Sequence, residues 1–83
     1  MSKIVSVQYH MKRVQDIDNM LLELRAEVSS SVTTILRLSK QRGTADNCRT
    51  ESKVIESDLH HINLLVIKRQ QHAGHLRHLI LGH

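Results

Sequence analysis

An all-α fold, an antiparallel two-helix hairpin of coiled-coil type, is what three features of this 83-residue chain predict. From Val7 to Leu38 an apolar pattern repeats in sevens. Val7, Val14, Leu21, Val28 and Ile35 stand at one seam position, and His10, Ile17, Leu24, Ser31 and Leu38 at the other. Four heptads with β-branched residues at the first position describe a long helix that packs on another helix. The chain also has no Pro, three Gly, one Tyr, and neither Phe nor Trp. Its core must then come from Leu, Ile, Val and Met, which suits helix seams better than a sandwich or barrel. Finally, the period vanishes over SKQRGTADNCRT, residues 39 to 50, and a second periodic stretch follows.

The first helix is expected over about residues 4 to 40, with residues 1 to 3 frayed. Ile4, Met11, Met20 and Val32 widen its stripe beyond a two-stranded seam, so more than one packing neighbour is expected. Ser29 to Thr34 are poor to middling helix formers, but Val28, Val32 and Ile35 keep the register, and a continuous helix is read through them. Gly43, following Lys40 and Arg42, fits a helix end with a left-handed cap. Thr44, Asp46, Asn47 and Thr50 are candidate N-caps for the second helix.

That helix is read from about residue 51 to 81, after a turn at about 41 to 50. Leu59, Val66, Ala73 and Ile80 form one seam row; Ile55, Ile62, Arg69 and Leu76 form the other, with Leu65 and Leu79 widening the stripe. Gly74 weakens the last turns, since helical Gly costs up to about 1 kcal/mol relative to Ala. A single hairpin domain of residues 1 to 83 results, and its stripes exceed what two helices can bury. It should complete a bundle by dimerising or by docking on a partner protein.

Composition narrows the function. One cysteine, Cys48, excludes an internal disulfide and fits a reducing compartment. The start lacks the apolar core of a secretory signal, and no run approaches the roughly 20 apolar residues of a bilayer span. A soluble, cytoplasmic protein is expected. Cys48 has no activating His or acid at local spacing, a two-helix chain offers no pocket for a hydrolytic triad, and no enzyme and no cofactor are expected.

Net charge is +4. Folding the hairpin gathers Lys3, Lys12 and Arg13 with Lys68, Arg69 and Arg77 at one end, and Arg37, Lys40, Arg42, Arg49 and Lys53 at the other. Asp16, Asp18, Glu23, Glu27, Glu56 and Asp58 make an acidic waist. Contact with a nucleic-acid backbone through Lys12, Arg13, Lys68 and Arg69 is the alternative function, served by a homodimeric four-helix bundle. Against it, Tyr9 is the one aromatic available for stacking and no nucleic-acid motif is present.

Seven histidines are present: His10, His60, His61, His72, His75, His78 and His83. Spacing by three spreads His72, His75 and His78 around their helix, and without a nearby Cys or acid no metal site is expected. Protonating the imidazoles of the acid-free run from Lys68 to His83 below about pH 6.5 would concentrate charge there. His10 sits on a seam, where a polar residue sets register or partner.

The opening of the second helix, TESKVIESDLHHINLLVIK, resembles the second helix of the small E-type co-chaperones of type III secretion needle subunits. Glu51, Ser52, Lys53, Glu56 and Ser57 followed by Ile62, Leu64, Leu65 and Val66 carry the likeness. This chain differs in its shorter connection, its longer basic first helix and its His-rich tail. The resemblance implies a cytoplasmic protein that pairs with a helical-repeat chaperone and shields an aggregation-prone needle subunit. Together, pattern and resemblance predict a non-enzymatic chaperone or assembly factor that buries a partner's helix. Val14, Leu21, Leu24, Val28 and Ile35, with Ile55, Leu59, Ile62 and Val66, are the expected seam and partner-binding residues. A structural subunit that stays in a finished assembly is a third reading.

Overall fold

The structure, a computed structural model, describes residues 3 to 82. Of residues 1 to 3, expected to fray, Met1 and Ser2 lie outside the described residues, as does His83 of the histidine set, while Lys3 is helical. Two helices make up the architecture: α1 over Lys3–Leu38 and α2 over Ala45–Leu81. They pack antiparallel into a rod 61 Å long and 17 by 15 Å across. Its Cα radius of gyration is 18.5 Å, against about 12 Å for a compact globule of this length. The hairpin is therefore nearly all surface.

Every seam residue read in α1, from Val7 through Leu38, is buried or half-buried. Ile17 and Leu21 meet Leu65 of α2 at the centre, with Leu24, Ile62 and Val66 packed around them. The serine–threonine stretch does not interrupt α1. Thr33 and Thr34 return their hydroxyls to the carbonyls of Ser29 and Ser30, each at 3.0 Å, which removes the competition such side chains offer to the helix. Ser31 lies in the seam, 5% exposed.

Two boundaries differ from those read in the sequence. The turn covers residues 39 to 44, and α2 begins at Ala45, about six residues early. The reason is local. Thr44 spends its hydroxyl backwards on the carbonyls of Leu38 (2.7 Å) and Gln41 (3.1 Å), not on the helix it precedes. This tie lets the chain reverse within six residues. Gly43 takes the left-handed conformation (φ 77°) inside the turn, and Gly82 caps α2 in the same conformation, donating its N–H to the carbonyl of His78 at 2.8 Å. Cys48, expected in the loop, sits in the first turns of α2 and donates its N–H to the carbonyl of Thr44.

The larger correction is in α2. Ile55, Ile62, Arg69 and Leu76 do line the seam, but the second row is Glu51, Asp58, Leu65, His72 and Leu79. Leu59 and Ile80 are exposed, at 48% and 63%, while Val66 and Ala73 stay half-buried at the edge. Thus the more apolar of two candidate rows lies at the edge of the seam, with Leu59 and Ile80 turned outward. Gly74 stands in open space on the helix surface. Gly74→Ala should raise stability by about 1 kcal/mol through helix propensity alone, measured as a rise in the urea midpoint.

Candidate helix-docking surface

In an antiparallel pair, the side chains four residues after each first seam position share one flank, and those just before it share the other. Here the two flanks differ in kind. The first carries Ile4, Met11, Asp18, Arg25 and Val32 from α1 beside Leu59, Val66, Ala73 and Ile80 from α2. Leu22 and Leu36, 69% and 61% exposed, extend it outward. Near its basic end the flank opens into a groove of about 540 Å³ between Gln8, Met11, Val14, Gln15 and Asp18 of α1 and Leu76 of α2.

One ion pair crosses this flank. Arg69 donates Nε–H to Asp18 Oδ1 at 2.6 Å and Nη2–H to Oδ2 at 3.3 Å. That hydrogen bond, ahead of the charges of Arg69 and Arg25, holds the Asp18 carboxyl below its ordinary value, with desolvation opposing. Its stability contribution is present at neutral pH and is lost as pH falls through the carboxylate range. Being exposed, the pair contributes little.

The opposite flank is mixed, with Met20 and Leu64 exposed on it and a second, smaller groove between Val5, Ser6, Tyr9 and His10. Its chief feature is a cluster of Tyr9 and His10 from α1 with His72 and His75 from α2. His10 Nδ1 and His72 Nδ1 are 2.8 Å apart, so one ring donates and the other accepts. His75 stacks on His10 with centroids 5.1 Å apart, and Tyr9 meets both His10 and His72 edge-on. Among the described residues no group of three or more His, Cys, Asp or Glu side chains could hold a metal ion. Periodicity could place His10 in the seam, but not its pairing with His72, because the sequence pattern favours the more apolar neighbouring row, Leu59, Val66, Ala73 and Ile80, over the row that holds His72.

Desolvation first, then the neighbouring His10, Arg13 and His75, pushes the His72 pKa below the ordinary imidazole value. A depressed folded pKa means the unfolded chain binds the proton more readily. Stability is therefore complete above about pH 6.5 and declines as the solution is acidified from there. A second proton in the His10–His72 pair also sets donor against donor. The groups facing the pair are Tyr9 and Arg13 from α1 and His75 from α2. The thermal midpoint should fall between pH 7.5 and 5, and His72→Leu should flatten that slope. An unchanged slope would assign the acid response to other histidines.

The expected partner-binding residues are largely consumed by the hairpin itself. Leu21 is buried, and Val14, Leu24, Val28, Ile35, Ile55, Ile62 and Val66 are half-buried in or beside the seam. Leu59 alone among them is exposed, and it lies on the apolar flank. Of the four cations weighed for polyanion contact, three have acidic partners: Lys12 and Arg13 with Asp16 at 3.2 and 4.0 Å, and Arg69 with Asp18. Lys68 is exposed.

No protein-family model, curated protein or solved structure matches this chain. Among the described residues, no helix is long and apolar enough to cross a membrane.

Proposed function

We propose that this chain is a non-enzymatic, cytoplasmic protein-binding module, a small chaperone or assembly factor that lays its apolar flank against an amphipathic helix. The observation that supports this is the imbalance between core and surface. Among the described residues three hydrophobic side chains are buried while thirteen large ones are exposed, and seven of these, Ile4, Met11, Leu22, Val32, Leu36, Leu59 and Ile80, lie along one side of a 61 Å rod. An apolar strip of that kind, interrupted by the Asp18–Arg69 pair, on a small helical protein suits a helix-in-groove partner. The sequence resemblance of α2 makes a type III secretion needle subunit, held together with a helical-repeat chaperone, the specific client to try.

Titration with a synthetic amphipathic peptide bearing Leu at i, i+3, i+4 and i+7 tests the general reading. Binding with a negative heat-capacity change is expected, since apolar area is buried. Leu36→Asp combined with Leu59→Asp should abolish it. Absence of heat and of any gain in helicity on mixing would refute the proposal. The polyanion reading has less support, because ion pairs already engage three of its four cations.

A further inference from the structure

We infer that in the absence of a client the apolar flank is covered by a second copy of this chain, in a symmetric four-helix bundle whose two-fold axis passes beside Leu22. This rests on the proposal that the flank is a helix-docking surface, and it names the resting occupant. The argument is self-complementarity, which a two-fold interface requires of a single patch.

Along the flank of α1, the row nearest the seam reads Met11, Asp18, Arg25, Val32 at steps of seven. Reversed, the same row presents Val32 to Met11 and Arg25 to Asp18. Apolar meets apolar, and Arg25 meets Asp18, whose carboxylate is then shared between Arg25 of the copy and Arg69 of its own hairpin. The outer row reads Gln8, Gln15, Leu22, Ser29, Leu36, and Leu22 stands at its centre, where it meets its own copy, while Leu36 comes opposite the Gln8 side chain. In α2 the register set by His10 and His72 brings Leu59 level with Glu23, beside the same axis.

Size agrees with sequence order. A face 61 Å long and 17 Å wide offers on the order of 1,000 Å², above the roughly 800 Å² per partner of a stable interface. Antiparallel stacking of two hairpins also leaves each helix antiparallel to its neighbours, the arrangement of simple four-helix bundles. The flank with the histidine cluster then faces outward on both sides.

Sedimentation equilibrium of the full chain, from 5 to 200 µM, reads the outcome directly. Wild type should sediment at twice the 9.5 kDa chain mass. Leu22→Asp sets two carboxylates face to face at the axis and should weaken dimerisation on the order of a hundredfold, the scale of central hot-spot losses. Leu22 is so exposed that the substitution leaves the hairpin core untouched, and an unchanged helical circular dichroism signal verifies this. As an independent check, Leu22→Cys in a Cys48→Ser background should oxidise to a disulfide-linked dimer, whereas Ser30→Cys in the same background should not.

A monomer at 200 µM overturns the inference. So does a dimer indifferent to Leu22→Asp and not captured through Leu22→Cys, because it would use another face. A monomer that still binds the amphipathic peptide leaves the docking proposal standing without its resting dimer. A Leu22-centred dimer that never exchanges for the peptide leaves the dimer and removes the client.

Discussion

Ile17→Ala is expected to lower the unfolding free energy by about 2–5 kcal/mol. Ile17 is 1% exposed, the most buried side chain of the hairpin, and it packs with Leu21 and Leu65 in a core of three buried hydrophobics. A core that small cannot close over the missing methyl and ethyl groups by shifting distant layers, so the cavity remains and its lining loses contacts. At 0.05–0.15 kcal/mol per residue, a chain of this length has about 4–12 kcal/mol in total. The variant should therefore be largely unfolded near room temperature, or close to it. Urea titration followed by the helical circular dichroism signal, at one fixed protein concentration because association is linked to stability, measures the loss. Leu64→Ala, at an exposed site away from the docking flank, should stay within about 0.5 kcal/mol. If Ile17→Ala behaves like Leu64→Ala, the central layer is misassigned.

Asp58→Leu should act in the opposite direction, stabilising the hairpin by about 1–3 kcal/mol, the usual penalty of a buried polar group without a partner. Asp58 is 9% exposed, and its Oδ2 has no hydrogen-bond partner. It stands in the seam level with Leu24, in a row whose other members include Leu65 and Leu79. Natural helices retain such residues where they set register or partner choice at the expense of stability. The same variant should consequently be more tolerant of alternative pairing. A raised urea midpoint with unchanged slope would establish the strain. A lowered midpoint would mean that the carboxylate gains from its site more than its missing partner costs.

The sequence made α1 fully legible. All ten of its seam residues, His10 and Ser31 included, are buried or half-buried where the heptads put them, because a single strong period leaves one choice of face. The turn is less legible: of the four candidate caps Thr44 takes the N-cap position of α2, yet its hydroxyl bonds back to Leu38 and Gln41. A hydroxyl has no directional preference until its neighbours are placed. The apolar flank shows in the sequence only as excess width of the stripe, and Leu59, expected in the seam or at a partner, is 48% exposed at its edge.

What the sequence by itself determined is the hairpin: two uninterrupted helical periods, a polar break with Gly43 in it, and too few large side chains for any other core. What only the tertiary structure decided is which side of α2 turns inward. The row Ile55, Ile62, Arg69, Leu76 serves equally with neighbours three residues on (Asp58, Leu65, His72, Leu79) or four residues on (Leu59, Val66, Ala73, Ile80). Hydropathy favours the latter. The short turn of residues 39 to 44 carries α2 to the side where His72 meets His10 and Leu65 meets Ile17, and the apolar row is left at the edge of the seam. The two rows are neighbours in sequence, about 100° apart on the helix and flanking the shared row on either side, so periodicity serves both equally and the six-residue reversal fixes the side on which the partner helix lies.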